Sequence, residues 1–186
     1  NPTAISISTG GVTFDRVGDY LSFAGVAIGT NDFTIEAWIH PDGGINYPCI
    51  VDTRTAQGGS SGFFWGLNNA NRLYVYTGGG DRVGGTVTAG EWSHVALVRD
   101  YSATTTTMYI NGLSVGSWTG DNYNYSNDLT KIGFSNISGG AEDFHWDGKI
   151  SNVRVVVGRV LYTTDFYPPS AELTNVADTK LLCCQS

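Results

Sequence analysis

Apolar residues recur at every second position in this chain, and that period restricts it to a sheet-built fold. In residues 33–40, Phe33, Ile35, Ala37 and Ile39 fall on one face, with Glu36 and Trp38 on the other. Side chains alternate across a strand, so such a run can bury one face against a second layer. The helical period hardly appears anywhere. Residues 72–76 alternate again, with Leu73 and Val75 on one face. Residues 94–99 are mostly apolar and read as a central strand. Residues 149–157 carry Ile150, Val153, Val155 and Val157 and read as another long strand. Residues 105–110 and 113–117 flank Asn111-Gly112, which supplies the two positive φ angles of a type I′ hairpin turn.

Shorter strands are expected at residues 4–8, 20–23, 50–53, 63–67, 83–87, 129–134 and 180–184. Glycine-rich turns fall at residues 43–44, 58–62, 78–80 and 139–140, and Pro168-Pro169 stiffens the chain ahead of its last segment. The 25 glycines and the 12% aromatic content suit many short strands joined by tight turns. With 186 residues, 41% of them hydrophobic, and no linker or internal repeat, the expectation is one domain over residues 1–186. Its fold class is all-β, a two-sheet antiparallel jelly-roll sandwich.

The formal net charge of −7 comes with no basic stripe, which argues against a nucleic-acid partner. No apolar run approaches the length of a membrane span, so membrane insertion is not expected. The chain begins at Asn1 without a signal peptide, as a processed chain or an excised domain would. Cys49, Cys183 and Cys184 are too few and too unevenly spaced for a disulfide framework or a zinc site. A bridge from Cys49 to the C-terminal pair and free buried thiols both stay open.

Several segments then carry a family likeness, in order. They are Gly11-Val12-Thr13-Phe14-Asp15 with Asp19-Tyr20-Leu21, residues 33–41, residues 92–99 leading into Tyr109-Ile110-Asn111-Gly112, and residues 144–155. Together they resemble the concanavalin A-like superfamily, in its laminin G-like and pentraxin-like branch. The likeness runs over nearly the whole chain and implies the sandwich inferred above. A narrower likeness lies in the tail, where residues 161–169, Leu173-Thr174 and residues 179–186 resemble the end of such domains in virion proteins of tailed phages. Cys183 stands where Thr is more usual in that pattern. This second resemblance implies a phage appendage, fibre or capsid-surface domain.

Catalysis is not expected. Glycoside hydrolysis needs two carboxylates flanking the scissile bond, and no strand offers such a set: Glu36 stands alone, Glu91 sits at a turn, and Glu142 and Asp143 are adjacent and would diverge. His40, His94 and His145 are isolated, with no nucleophile elbow and no metalloprotease helix motif. The glycines of residues 58–62 lack the Gly-Lys-Ser/Thr ending of a phosphate cradle.

Two binding chemistries remain. The loop over residues 121–128 is rich in oxygen donors. Asp121, Asn122 and Asp128, with Asp143 approaching from a neighbouring segment, form the candidate calcium set. The plainer reading is that Asn and Asp form turns there. Pyranose faces pack on aromatic rings while amides and carboxylates bond the hydroxyls. Trp118, Tyr123, Asn124 and Tyr125 are therefore the candidate glycan-binding residues, with both tyrosines expected to be exposed. Tyr47, Trp65, Tyr101 and Trp146 are further aromatic candidates, although Trp38, Trp92 and Trp146 sit in strand motifs and suit packing better.

The leading function is a non-catalytic carbohydrate-binding or adhesion domain on a phage appendage, contacting the host surface. One alternative is a purely structural virion decoration or fibre domain, and another is a glycan-binding module of a secreted bacterial protein. The expected partners are cell-surface polysaccharide or other virion proteins, with a homo-oligomer as a candidate assembly. The expected setting is the virion surface or, alternatively, secretion.

Overall fold

The computed structural model describes residues 11–44, 47–55, 60–78, 80–135, 137 and 144–185. The candidate strand at residues 4–8 and the candidate ligand Asp143 lie outside the described residues. Among the described residues there are thirteen strands: β1 (Val12–Asp15), β2 (Leu21–Val26), β3 (Phe33–Pro41), β4 (Cys49–Asp52), β5 (Phe64–Leu67), β6 (Arg72–Thr77), β7 (Gly80–Thr86), β8 (Ser93–Asp100), β9 (Thr105–Ile110), β10 (Leu113–Thr119), β11 (Leu129–Ile132), β12 (Asp147–Val157) and β13 (Thr179–Cys183). They form two antiparallel sheets. Sheet A has seven strands in the order β1-β12-β3-β8-β9-β10, with β13 also on β12; sheet B has six, in the order β2-β11-β4-β5-β6-β7. This is the all-β jelly-roll sandwich that the alternation implies.

The inward face of sheet A supplies Phe33, Ile35, Ala37 and Ile39 from β3, Val95 and Leu97 from β8, and Ile150, Val153 and Val155 from β12. Sheet B answers with Ile50, Val51, Trp65, Leu67, Leu73 and Val75. Asn111 and Gly112 both have positive φ, at 50° and 78°, as the type I′ turn requires. Strand β12 pairs with β3 along one edge, while its other edge is shared end to end: β1 pairs with residues 147–150 and β13 with residues 153–156.

A sandwich of two half-buried sheets would leave Glu36, Trp38 and His94 facing solvent. All three are buried instead. The chain after β12 folds back over the outer face of sheet A, where Val160, Tyr162 and Phe166 pack on Ala96, Val98 and Tyr109. The Tyr162 and Phe166 rings stack 3.6 Å apart. The Phe166 amide donates to the Gly112 carbonyl at 2.9 Å, and a Cβ at Gly112 would run into the Phe166 carbonyl. The hairpin turn therefore needs glycine twice, for its φ and for this close approach. The first part of the tail that resembles phage virion domains, residues 161–169, is thus a strap across sheet A.

Under the strap, Glu36 is the hub of a buried polar network. His94 Nε2 lies 3.0 Å from Oε2, the Tyr162 hydroxyl donates to Oε2 at 2.7 Å, and Arg154 Nε donates to Oε1 at 2.8 Å. Burial alone would raise the Glu36 carboxyl, but His94, Arg154 and Tyr162 outweigh it and hold the group below the usual carboxylate range. Burial and the Glu36 charge push the Tyr162 phenol up.

Cys49 is fully buried on sheet B beside Phe64 and Tyr74, whereas Cys183 and Cys184 pack at the end of sheet A. All three are free thiols. The bridge from Cys49 to the C-terminal pair does not form, because the two segments end in different clusters.

Candidate functional site

On the outer face of sheet B, β5 and β6 carry aromatic residues at the positions that alternate with the core. Trp65, Leu73 and Val75 point inward, so Phe64, Tyr74 and Tyr76 project outward. Tyr47, from the turn before β4, closes edge-to-face on Tyr74, with centroids 5.0 Å apart. Phe144, from the approach to β12, packs near Tyr47 and Phe64 at 6.0 and 6.4 Å. The rings enclose a pocket of about 310 Å³, completed by Arg54, Ser135 and Ile137. That volume lies at the small end of the range for small-molecule and sugar sites.

The polar groups of this pocket are fixed from beneath. Asp52, at the end of β4, is buried and accepts from Arg54 Nε and Nη2 at 2.9 and 2.8 Å and from the Ser135 hydroxyl at 2.5 Å. This two-pronged pair locks the guanidinium plane. The plane lies over the rings of Phe64 and Tyr76, 5.2 and 5.1 Å from their centroids. Among the described residues no hydrogen bond uses Arg54 Nη1 or the hydroxyls of Tyr47 and Tyr76. The Tyr74 hydroxyl is committed to Asp81 at 2.7 Å, and burial together with that bond pushes the phenol up. The pocket thus combines apolar ring faces with a few free donors on rigid supports, the combination needed to hold a polyhydroxylated ring.

The residues expected from the sequence to bind glycan fall elsewhere. Tyr125 is 2% exposed, not solvent-facing: its ring packs on Phe33 and Phe63 and its hydroxyl donates to Asp121 at 2.8 Å. Burial, with Asp121 beside it, pushes that phenol well up. Tyr123 is half-buried and stacks beside Tyr125. Trp118 is half-buried on the core, with the Arg82 guanidinium 5.8 Å above it. Asn124 alone of this group is exposed. Among the further aromatic candidates, Trp65 and Trp146 are core residues and Tyr101 sits against Arg99. Tyr47 does reach the pocket.

The described members of the calcium set lie in different surroundings. Asp121 is buried and spent within the protein: Thr106 donates to Oδ2 at 2.6 Å, Tyr125 donates to Oδ1, and Arg99 lies 3.7 Å from Oδ1. Arg99 also donates to the carbonyls of Gly29, Asn31 and Tyr123. The loop's polarity therefore serves to anchor it on sheet A. Asn122 and Asp128 are exposed, and among the described residues no group of His, Cys, Asp and Glu is placed to hold a metal ion.

The pocket could have been read from alternation. With Leu73 and Val75 assigned to the core, Tyr74 and Tyr76 had to share the opposite face, and two large aromatics on a face turned away from the core signal a binding surface. Nothing local linked them to Arg54 or Phe144, which the sheet order brings in.

This chain belongs to the concanavalin A-like lectin/glucanases superfamily, whose laminin G-type family profile matches residues 15–161. Curated proteins give no match. Among solved structures it is similar to the native heptameric SAP-like pentraxin of Limulus polyphemus, at 17% identity and a TM-score of 0.54, with 81% of each chain covered. It is similar to the CBM40 of the Ruminococcus gnavus IT-sialidase bound to α2,3-sialyllactose, at 15% identity and a TM-score of 0.58, covering 78% of this chain and 94% of that one. It is also similar to domains LG4-5 of the mouse laminin α1 chain, at 12% identity and a TM-score of 0.61, covering 91% of this chain and 50% of that one.

Proposed function

We propose that this domain is a non-catalytic glycan-binding module whose sugar site is the aromatic pocket on the outer face of sheet B. The observation that carries this reading is the convergence of Tyr47, Phe64, Tyr76 and Phe144 around an arginine already fixed by Asp52. A pyranose would stack its apolar face on a ring and accept from Arg54 Nη1 and the free tyrosine hydroxyls. Glu36, the carboxylate at the centre of β3, is sealed under the strap and faces no cleft, which supports binding over hydrolysis. The CBM40 fold neighbour, bound to sialyllactose, is consistent with a sugar ligand.

The setting we infer is a phage appendage that meets polysaccharide on a host surface, on the strength of the tail that resembles virion proteins. A homo-oligomer would suit that setting, since repeated weak sites gain avidity without new contacts. The pentraxin to which the chain is similar is heptameric.

The test is a glycan array that includes bacterial surface polysaccharides, run with calcium and with a chelator. Wild-type protein is compared with Tyr76→Ala and Phe144→Ala. Binding is expected in both buffers, weakened about tenfold or more in either variant, equivalent to about 1.4 kcal/mol. Loss on chelation would move the site to a metal-bearing loop. Silence of the folded wild type at millimolar glycan would defeat the reading and favour a structural virion domain.

A further inference from the structure

Neighbouring residues on an extended strand point to opposite faces, so two adjacent cysteines normally hold their sulfurs apart. Cys183 and Cys184 break that rule. Cys183 is the last residue of β13, in register with Val153, and its side chain packs on the core. Cys184 has φ of +59°, a conformation uncommon for any residue other than glycine and the short polar residues. The left-handed turn swings its side chain back onto the same core, and the two sulfurs stand 3.6 Å apart.

This geometry is held by the neighbouring strand. Asn152, itself at φ +49°, forms a bulge in β12, and its amide donates to the Cys184 carbonyl at 2.8 Å. The Ser151 hydroxyl donates to that carbonyl at 3.2 Å, while Asn152 Oδ1 accepts the Leu173 amide at 2.9 Å. The turn is therefore fixed from two sides. An outlier backbone conformation maintained in this way points to a use.

We propose that Cys183 and Cys184 form a reversible dithiol–disulfide site that reacts with low-molecular-weight disulfides. The Cys183 thiolate attacks a sulfur of the donor disulfide, forming a mixed disulfide and expelling one donor thiolate. The Cys184 thiolate then attacks Cys183 Sγ and expels the second donor thiolate. The donor is reduced to two thiols, and the chain loses two protons and two electrons as the ring closes. The order follows from the pair itself. The Cys184 thiol donates to the Cys183 sulfur, which lowers the Cys183 thiol and raises that of Cys184. Both are half-buried, so a small disulfide can reach them, whereas Cys49 is sealed at 0% exposure. Adjacent Cα atoms are about 3.8 Å apart, below the usual separation for bridged cysteines. The ring is therefore strained and easily reduced, so it acts as a responsive bond and not as a staple.

The test exposes the native full chain to excess oxidised glutathione, blocks free thiols under denaturing conditions and measures the intact mass. Of the three thiols, one is expected to remain, on Cys49, with no glutathione retained and a Cys183–Cys184 bridge in the peptide map. Dithiothreitol should restore all three. In Cys184→Asn, where Asn tolerates the left-handed turn, Cys183 is expected to keep one glutathione. A stable glutathione adduct on the wild type, a bridge involving Cys49, three thiols surviving the oxidant, or no adduct on Cys184→Asn would each overturn the proposal.

Discussion

Replacing Glu36 by Gln tests whether the strap is held electrostatically or by its rings alone. The amide keeps the shape of the side chain but carries no charge, and it presents a donor where Arg154, His94 or Tyr162 now finds an acceptor. Breaking a buried ion pair by removing one partner costs about 3–5 kcal/mol. The lower end applies here, because Arg154 keeps its bond to the Thr174 carbonyl and 8% of its side chain is exposed. About 3 kcal/mol, divided by a urea slope of about 2 kcal/mol per molar, moves the unfolding midpoint down by about 1.5 M. Trypsin supplies the local readout. Arg159 begins the strap and its carbonyl accepts from the Thr34 hydroxyl in the native fold, so its cleavage should accelerate in the variant well before global unfolding. A midpoint shift below about 0.5 M, with Arg159 still protected, would show that the Tyr162–Phe166 stack secures the strap and that the carboxylate contributes little.

Three further outcomes follow from the same geometry. Glu36 has its folded-state pKa shifted downward, so its stabilisation is complete above the unfolded value of about 4.3 and is lost as pH falls through the lower folded value. Urea midpoints should therefore drop as pH falls below about 4.3 in wild type, and less in Glu36→Gln. Tyr125→Phe removes the donor to Asp121 and should cost about 2 kcal/mol in denaturant melts while leaving glycan affinity unchanged; lost affinity in a folded variant would return the site to the 121–128 loop. Gly112→Ala forces a side chain into positive φ and against the Phe166 carbonyl, so faster cleavage at Arg159 with an intact sandwich is expected.

The sheet was legible because its signal is local. Phe33, Ile35, Ala37 and Ile39 announce a buried face whatever surrounds them, and Asn111-Gly112 fixes its turn by backbone sterics. What the alternation could not show is that the opposite face of β3 is covered as well. Glu36, Trp38 and His94 look like solvent-side residues until the strap, more than a hundred residues later, is laid over them. The 121–128 loop misled for a related reason. Its Asp and Tyr residues suit a ligand equally well, and only the arrival of Arg99 and Thr106 from β8 and β9 turns them inward. The pocket gathers Arg54, Phe64, Tyr76 and Phe144 from separate elements, so its members were visible singly and its assembly was not.

The double-edged pairing of β12 has a consequence for biosynthesis. Strand β3, almost wholly buried in the finished sheet A, has β8 on one side early in the chain, but its other edge waits for β12, and Glu36 is 118 residues from its ion-pair partner. During vectorial synthesis that edge, with its unpaired amides and carbonyls, stays open until nearly the whole domain has emerged. A nascent chain stalled before Asp147 therefore displays a long adhesive strand, and its solubility depends on what shields β3 in the interval.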